Sequence, residues 1–466
     1  MKPWSFLIFC SLALLHLTGC NSSPPQFSNR AEFDDLEPYA QEYVSEVLDS
    51  YFGTPTESVA WERLPIEYHF AETTVSGSPS PRKVTLDVSA GGHGSIGPGT
   101  EIHFASSNES NWITEWDAAT GLATLERKPT QTIAEGEAVI VGPGAILKNG
   151  RHLYAQHCQH CHGVSGDGNG PTARYLNPLP RDYRNGRFKF TTTNYDFSPS
   201  RDDLDRVIRE GIPGTYMPSF KLLKQEEMQA IVEYVRWLSM RGEIEKQLIE
   251  TALADYTHEA VKLRIDGGAS RGEIETEFNK RVAEGEIQES LDVVVDLMVE
   301  RWKGSDLPEN MVQVATNRPP ATPESIARGR QLYLDVNNKC ASCHGDAGFG
   351  DGPQNYAFTP GKPGPGLYDD WNNPVKPRNL HTGIYRGGRR PYDLFCRIRA
   401  SVKGTPMPKF DTMKEEDVWD LVNYVYSIPY EEEVAGSGRL EEMVDSAESE
   451  TEPAAAESES NEVASR

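Results

Sequence analysis

Cys158-Gln159-His160-Cys161-His162 decides how this chain is read, and its pattern returns as Cys340-Ala341-Ser342-Cys343-His344. C-x-x-C-H is the attachment signature of a c-type haem. Two thiols about a helical turn apart can add across the two vinyl groups on one macrocycle edge, and the adjoining histidine then reaches the iron from the proximal side. One copy alone reads as a haem site about as readily as half a zinc site or chance. Here each copy is followed by a methionine in a matching context, Gly214-Thr215-Tyr216-Met217-Pro218 and Gly404-Thr405-Pro406-Met407-Pro408. A thioether is the expected sixth ligand of an electron-transfer haem. A four-thiolate zinc cluster built from both cysteine pairs would leave the histidines and methionines without a role. The motifs therefore predict two covalent haem c groups, one iron between His162 and Met217 and the other between His344 and Met407.

The rest of the chain bounds this reading. Its 466 residues suffice for about three domains. Only 37% are hydrophobic, so part of the length is expected in loops and tail. The net charge of −24 disfavours nucleic acid and anionic membrane surfaces as partners and suits a redox protein with a basic patch. Of seven cysteines, four sit in the haem motifs and two, Cys10 and Cys20, near the amino terminus. The seventh, Cys396, reads as a buried small hydrophobe on a helix around Tyr392–Ile398, the other readings being an unusual axial ligand or a reactive thiol.

Residues 1–19 read as an export signal, with Lys2 as the charge and Phe6–Leu17 as the apolar run. Leu17-Thr18-Gly19-Cys20 resembles the bacterial lipobox, in which the cysteine is lipidated. The expectation is a protein exported to the periplasmic side and anchored to a membrane through Cys20. Haem c attachment on the outer side of the cytoplasmic membrane agrees with that compartment.

Residues 20–53 form an anchor linker and a short helix carrying Leu36, Tyr39, Tyr43, Val47 and Leu48 on one face. Over 54–144 a β-rich module is expected, with strands at Ile66–Phe70, Lys83–Val88, Glu101–Phe104, Ala123–Glu126 and Ala138–Val141. Its role is either to pack against the first haem unit or to dock a partner. Residues 145–240 are the first haem unit, whose closing helix bears Met228, Ile231, Val232, Val235 and Leu238. Gly150 would let that helix approach closely, with Tyr154, Tyr234 or Trp237 filling the contact. The glycine-rich loop after His162 lacks a P-loop lysine and a preceding strand, so it is expected as backbone against a haem face.

Residues 241–321 are charged and helix-rich (Glu243–Thr257, Arg271–Glu284, Glu286–Trp302) and read as a helical spacer or a small domain between the haem units. Residues 322–430 repeat the first unit. Thr322 and Pro323 look like a helix cap and first position, Gly329 and Tyr333 keep the four-residue spacing of Gly150 and Tyr154, and Gln354–Asn373 is extra loop. Pro180-Arg181-Asp182 recurs as Pro377-Arg378-Asn379, making Arg181 and Arg378 candidates to pair with haem propionates or to sit at the surface. Residues 431–466 carry 12 acidic residues against Arg439 and Arg466, and should form a disordered tail.

Tyr154–Leu238 and Tyr333–Ile428 resemble class I cytochrome c domains, in particular those of bacterial membrane-associated subunits of respiratory complexes. The resemblance implies a mainly α fold, a small helical bundle around each haem with His and Met axial, and Pro171 and Pro353 as residues whose carbonyls orient the proximal histidines. It covers less than half of the chain and says nothing of the β-rich module or the spacer. The function expected is single-electron transfer between a donor and an acceptor protein, as a carrier or as a subunit of a larger respiratory complex. The rivals are a dihaem oxidoreductase, peroxidase-like or sulfur-compound oxidising, with one open iron, and a haem sensor or scaffold. The oxidoreductase would need a vacant site or an odd ligand such as Cys396 or His381.

Overall fold

The structure is a computed structural model describing residues 24–88, 96–357 and 364–431. The export signal, Cys20, the middle of the Gln354–Asn373 insertion and the acidic tail beyond 431 lie outside the described residues. No described helix is long and apolar enough to cross a membrane.

Helix α1 (Pro38–Phe52) opens with proline at its first position, where a missing amide is harmless, and buries Ala40, Val44, Val47 and Leu48. Six antiparallel strands follow: β1 (Ala71–Ser80), β2 (Lys83–Leu86), β3 (Glu101–Phe104), β4 (Glu109–Asp117), β5 (Leu122–Leu125) and β6 (Ala138–Val141). They close into a barrel in the order β1-β2-β5-β4-β3-β6. The β-rich module is therefore a closed barrel, which leaves no unpaired sheet edge. Alternate residues point inward, among them Val75, Val84, Leu86, Ile102, Phe104, Ile113, Leu125, Val139 and Val141, and they form a core of their own.

Two strands of the barrel, β1 and β4, are long and were not expected. Ser, Thr, Gly, Pro and Glu dominate their outer faces, so the apolar alternation is too sparse to see. Conversely, Ile66–Phe70 is not a strand. Its apolar residues pack instead on the helical core, with the Tyr68 hydroxyl donating to the Trp61 carbonyl at 3.0 Å.

The first haem unit contains α2 (Ala145–His157), α3 (Gln159–His162), α4 (Arg201–Glu210) and α5 (Gln225–Gln247). Helix α5 runs without a break past 240, and a π turn at Leu248–Ala252 leads into α6 (His258–Asp266), α7 (Arg271–Ala283) and α8 (Glu286–Gly304). These helices are not a detached spacer. One continuous core joins α1, the first haem unit and α5–α8, from Leu36 and Phe52 through Tyr154 and Trp237 to Phe278 and Trp302. Burying the indoles of Trp237 and Trp302 fully outweighs keeping two separate small cores, because larger cores bury a greater fraction of their surface. Charge ties the same junction. Arg201 pairs with the fully buried Glu233 at 2.5 Å and with Asp306, while Glu233 also accepts from the Glu67 amide at 3.0 Å.

The second haem unit has a separate core and the helices α9 (Pro323–Leu334), α10 (Cys340–His344), α11 (Pro391–Ala400) and α12 (Glu415–Ser427). Thr322 caps α9 as expected, its side chain accepting from the Ser325 amide at 3.2 Å. In both units the entering helix crosses the closing helix through glycine. A Cβ on Gly150 would lie 2.0 Å from the Ala230 carbonyl oxygen, and one on Gly329 2.1 Å from that of Asp420. The tyrosine four residues on fills the flank, Tyr154 against Tyr234 and Tyr333 against Tyr424, each with centroids 5.2 Å apart.

Candidate haem sites

Each short motif helix ends in carbonyls that need donors, and the glycine-rich loop supplies them. Gly168 and Gly170 donate to the carbonyls of His162 and Cys161 at 3.0 and 3.1 Å. Gly350 and Gly352 do the same for His344 and Cys343 at 2.8 and 3.2 Å. A Cβ on Gly170 would sit 2.4 Å from the His160 oxygen, so the spacing of glycines follows from close backbone approach. This loop does not line the cavity; it wraps the motif from behind, correcting the expectation that its backbone lies against a haem face.

In front of each motif is an apolar cavity. The first, of ≈ 300 Å³, is lined by Cys158, Cys161, His162 and Met217 among aliphatic and aromatic side chains such as Leu204 and Phe220. The second, of ≈ 290 Å³, gathers Cys340, Cys343, His344 and Met407 with Leu394 and Leu421. The four residues of each expected set are thus brought to one wall-to-wall space from sequence distances of more than 50 residues. The methionine loops are held alike. Thr215 Oγ1 donates to the Ile212 carbonyl at 2.8 Å and accepts from the Met217 amide at 3.2 Å. Thr405 repeats this with Val402 at 2.6 Å and Met407 at 3.4 Å, which is why Gly-Thr-x-Met-Pro recurs.

The histidines line their cavities and are half-buried. Burial lowers the pKa of His162, opposed by a bond to the Arg181 carbonyl, and pushes His344 down to about 4. Both rings are therefore neutral near pH 7. His162 Nδ1 lies 3.2 Å from the Arg181 carbonyl oxygen. A carbonyl can only accept, so Nδ1 carries the proton and Nε2 keeps its lone pair for a metal. The Arg378 carbonyl lies near His344 and partly opposes the lowering, but among the described residues His344 Nδ1 has no hydrogen-bond partner.

The Arg181 carbonyl thus takes the role expected of Pro171, while among the described residues no carbonyl, that of Pro353 included, bonds His344 Nδ1. Neither proline lines its cavity. Pro171 leads into a turn whose Thr172 amide bonds back to the His160 carbonyl at 3.0 Å, on the outer side of the motif, and Pro353 opens a short 3-10 turn. The side chains of Arg181 and Arg378 line the first and second cavities. Arg181 is shared with the other unit: it lies 3.7 Å from Asp369 and 3.7 Å above the Trp371 ring. Of the alternative ligands, Cys396 is buried in the core of the second unit, where burial pushes its thiol up to about 12, and it does not line the cavity. His381 stacks on Phe349 at 4.2 Å and bonds the Ala347 carbonyl at 2.8 Å, also outside it.

The donor set fits a covalently held haem. The four motif cysteines are unpaired thiols, each pair faces an apolar space with a lone-pair histidine and a thioether, and cationic side chains stand at the cavity edge where carboxylates would need them. A haem bound there supplies one reversible electron at iron. Tyr154 and Tyr333 brace each motif, donating to the carbonyls of Gly163 and Gly345 at 2.8 and 2.7 Å.

Sequence reasoning missed Lys189, Phe190 and Arg386, which line both cavities. The run Phe188-Lys189-Phe190, mixing aromatic and basic residues just after the Pro-Arg-Asp repeat, is the only local signal for the first two. It also missed the clasp that the Gln354–Asn373 insertion makes across the units, Asp369 holding Lys189 at 2.9 Å and Asp370 holding Arg187 at 2.9 Å.

Known proteins place these observations in a family. The cytochrome c family model matches residues 147–239 and 326–429, the two stretches that carry the cavities. No curated protein matches the chain. Among solved structures, the chain is similar to one from the reducing HAO-like protein complex of Kuenenia stuttgartiensis, at 25% identity and a TM-score of 0.42, covering 60% of this chain and 96% of that one. Two motif-bearing helical units, each with an apolar cavity and each matched by the family model, show that this chain carries two cytochrome c domains, of the kind that hold haem covalently and transfer electrons.

Proposed function

We propose that this chain is a membrane-tethered dihaem cytochrome c that relays single electrons between two redox partner proteins, each iron held by histidine and methionine. The observation that carries the reading is the composition of the cavities. Both contain the cysteine pair, a histidine whose neutral form is enforced by burial, and a methionine on a threonine-pinned loop. An iron with both axial positions filled exchanges electrons without binding substrate. The strong negative charge supports a partner with a basic surface. The Leu17-Thr18-Gly19-Cys20 lipobox supports export and a lipid anchor at Cys20 facing the periplasm.

Absorption and paramagnetic-resonance spectra of the purified, haem-loaded chain test the relay. Two low-spin haems with the weak near-infrared band of iron–thioether bonding are expected. A high-spin fraction that binds peroxide, cyanide or carbon monoxide would overturn it in favour of an oxidoreductase. The anchor is tested by Cys20→Ala, which should move the protein from the membrane fraction to the soluble one.

A further inference from the structure

The two haem units meet through matching parts. In the first, a Cβ on Gly214 of the methionine loop would lie 2.6 Å from the Arg378 guanidinium of the second unit. In the second, a Cβ on Gly404 would lie 2.6 Å from Trp371, whose ring also carries Arg181 of the first. The interface therefore sets one methionine loop directly against a Pro-Arg segment and links the other to one through Trp371.

Between the two cavities stand three side chains that line both: Lys189 and Phe190 from the first unit and Arg386 from the second. The Phe190 ring lies against Gly387, where a Cβ would be 2.2 Å from it. Lys189 and Arg181 share Asp369, and Arg187 has Asp370. Arg386 differs. Among the described residues its only polar contact is a long one, Nη2 to the Gly214 carbonyl at 3.5 Å, and its buried Nε has no partner. An arginine half-withdrawn from water, without a carboxylate and facing two haem cavities, lacks the anion its charge requires.

We infer that Arg386 is a counter-charge shared by the two haem sites, so that one side chain raises the reduction potential of both irons together. The inference rests on the two-haem reading given above. The carboxylates of a bound haem are the anions this position would meet. A fixed positive charge near an iron favours the ferrous state, because it opposes the extra positive charge of the ferric one. In a partly dry interface that effect reaches two centres at once, where water would screen it.

The test is a spectroelectrochemical titration of the full haem-loaded chain, resolving both midpoints. Arg386→Gln is expected to lower both, raising the ferric-to-ferrous ratio at fixed applied potential roughly threefold to tenfold at each iron. Lys376→Gln, at an exposed residue lining only the second cavity, should move the second midpoint alone. Arg386→His repeats the test within one folded protein: both midpoints should fall, relative to wild type, as the pH rises through the histidine range. If only one midpoint moves, or neither does, while both low-spin spectra persist, the shared role is wrong. If wild type lacks two low-spin spectra, it is the two-haem reading that fails.

Discussion

The guanidinium of Arg181, in the first cytochrome c domain, lies 3.7 Å above the ring centroid of Trp371, in the second. The same indole packs on Gly404, and Asp369 two residues earlier pairs with both Arg181 and Lys189. The insertion that carries these residues is therefore the clasp between domains. Trp371→Ala should destabilise the haem-loaded chain by about 1–3 kcal/mol, the sum of a lost cation–π contact and lost apolar burial. Calorimetry checks this, and a change below about 0.5 kcal/mol, as for an ordinary surface substitution, would refute the clasp.

Met217→Ala and Met407→Ala should act separately, since each methionine lines one cavity only. Each variant is expected to turn its own iron high-spin, lower that iron's potential and leave the other spectrum intact. Simultaneous loss of both low-spin signals from either variant would show that the sites are not independent.

The two bracing tyrosines are not equivalent. Tyr154 donates to the Gly163 carbonyl and accepts from the Tyr183 hydroxyl at 2.6 Å, whereas among the described residues Tyr333 has only the Gly345 carbonyl as hydrogen-bond partner. Tyr154→Phe strands two buried groups and should cost about 2–3 kcal/mol; Tyr333→Phe strands one and should cost about 1 kcal/mol. Denaturant unfolding of the two variants side by side measures the order, and equal costs would count against this account.

Acid should loosen the contact between α1 and the helical insert. Glu37 is almost wholly covered; burial raises its pKa, but bonds from His258 (3.1 Å) and Arg271, with their charges, outweigh it and leave the value below the usual carboxylate one. A carboxylate depressed in the folded state stabilises it above its unfolded pKa of about 4.5, and that contribution is lost as the pH falls through the folded value. Wild type should exceed Glu37→Gln by about 1–2 kcal/mol at neutral pH, and the gap should close as the pH drops below the folded value. Thermal melts across that range check the sign; a gap that stays constant would refute it.

Much of the site was legible locally. The haem motif spacing is dictated by the geometry of one macrocycle edge, so Cys158, Cys161, His162 and their second copies carry the same pattern wherever they fall. Gly150 with Tyr154 and Gly329 with Tyr333 were legible for a similar reason, because a helix crossing over glycine needs its filler one turn away. The histidine-orienting carbonyl was not. Any residue has a carbonyl, so nothing in the side chains of Pro171 or Arg181 could mark which backbone would arrive at His162 Nδ1.

By itself the sequence determined the repeated unit, the cysteines, the histidines and methionines, and the helices that frame them. These depend on contacts within a turn or on covalent chemistry with fixed spacing. Only the tertiary structure decided that the β-rich stretch closes into a barrel, that the helical insert shares a core with the first haem domain, and that Arg386 and Phe190 face both cavities. Each of those rests on which surfaces bury one another across more than 50 residues. Burial is non-directional and roughly proportional to area, so no local pattern records which partner it selects.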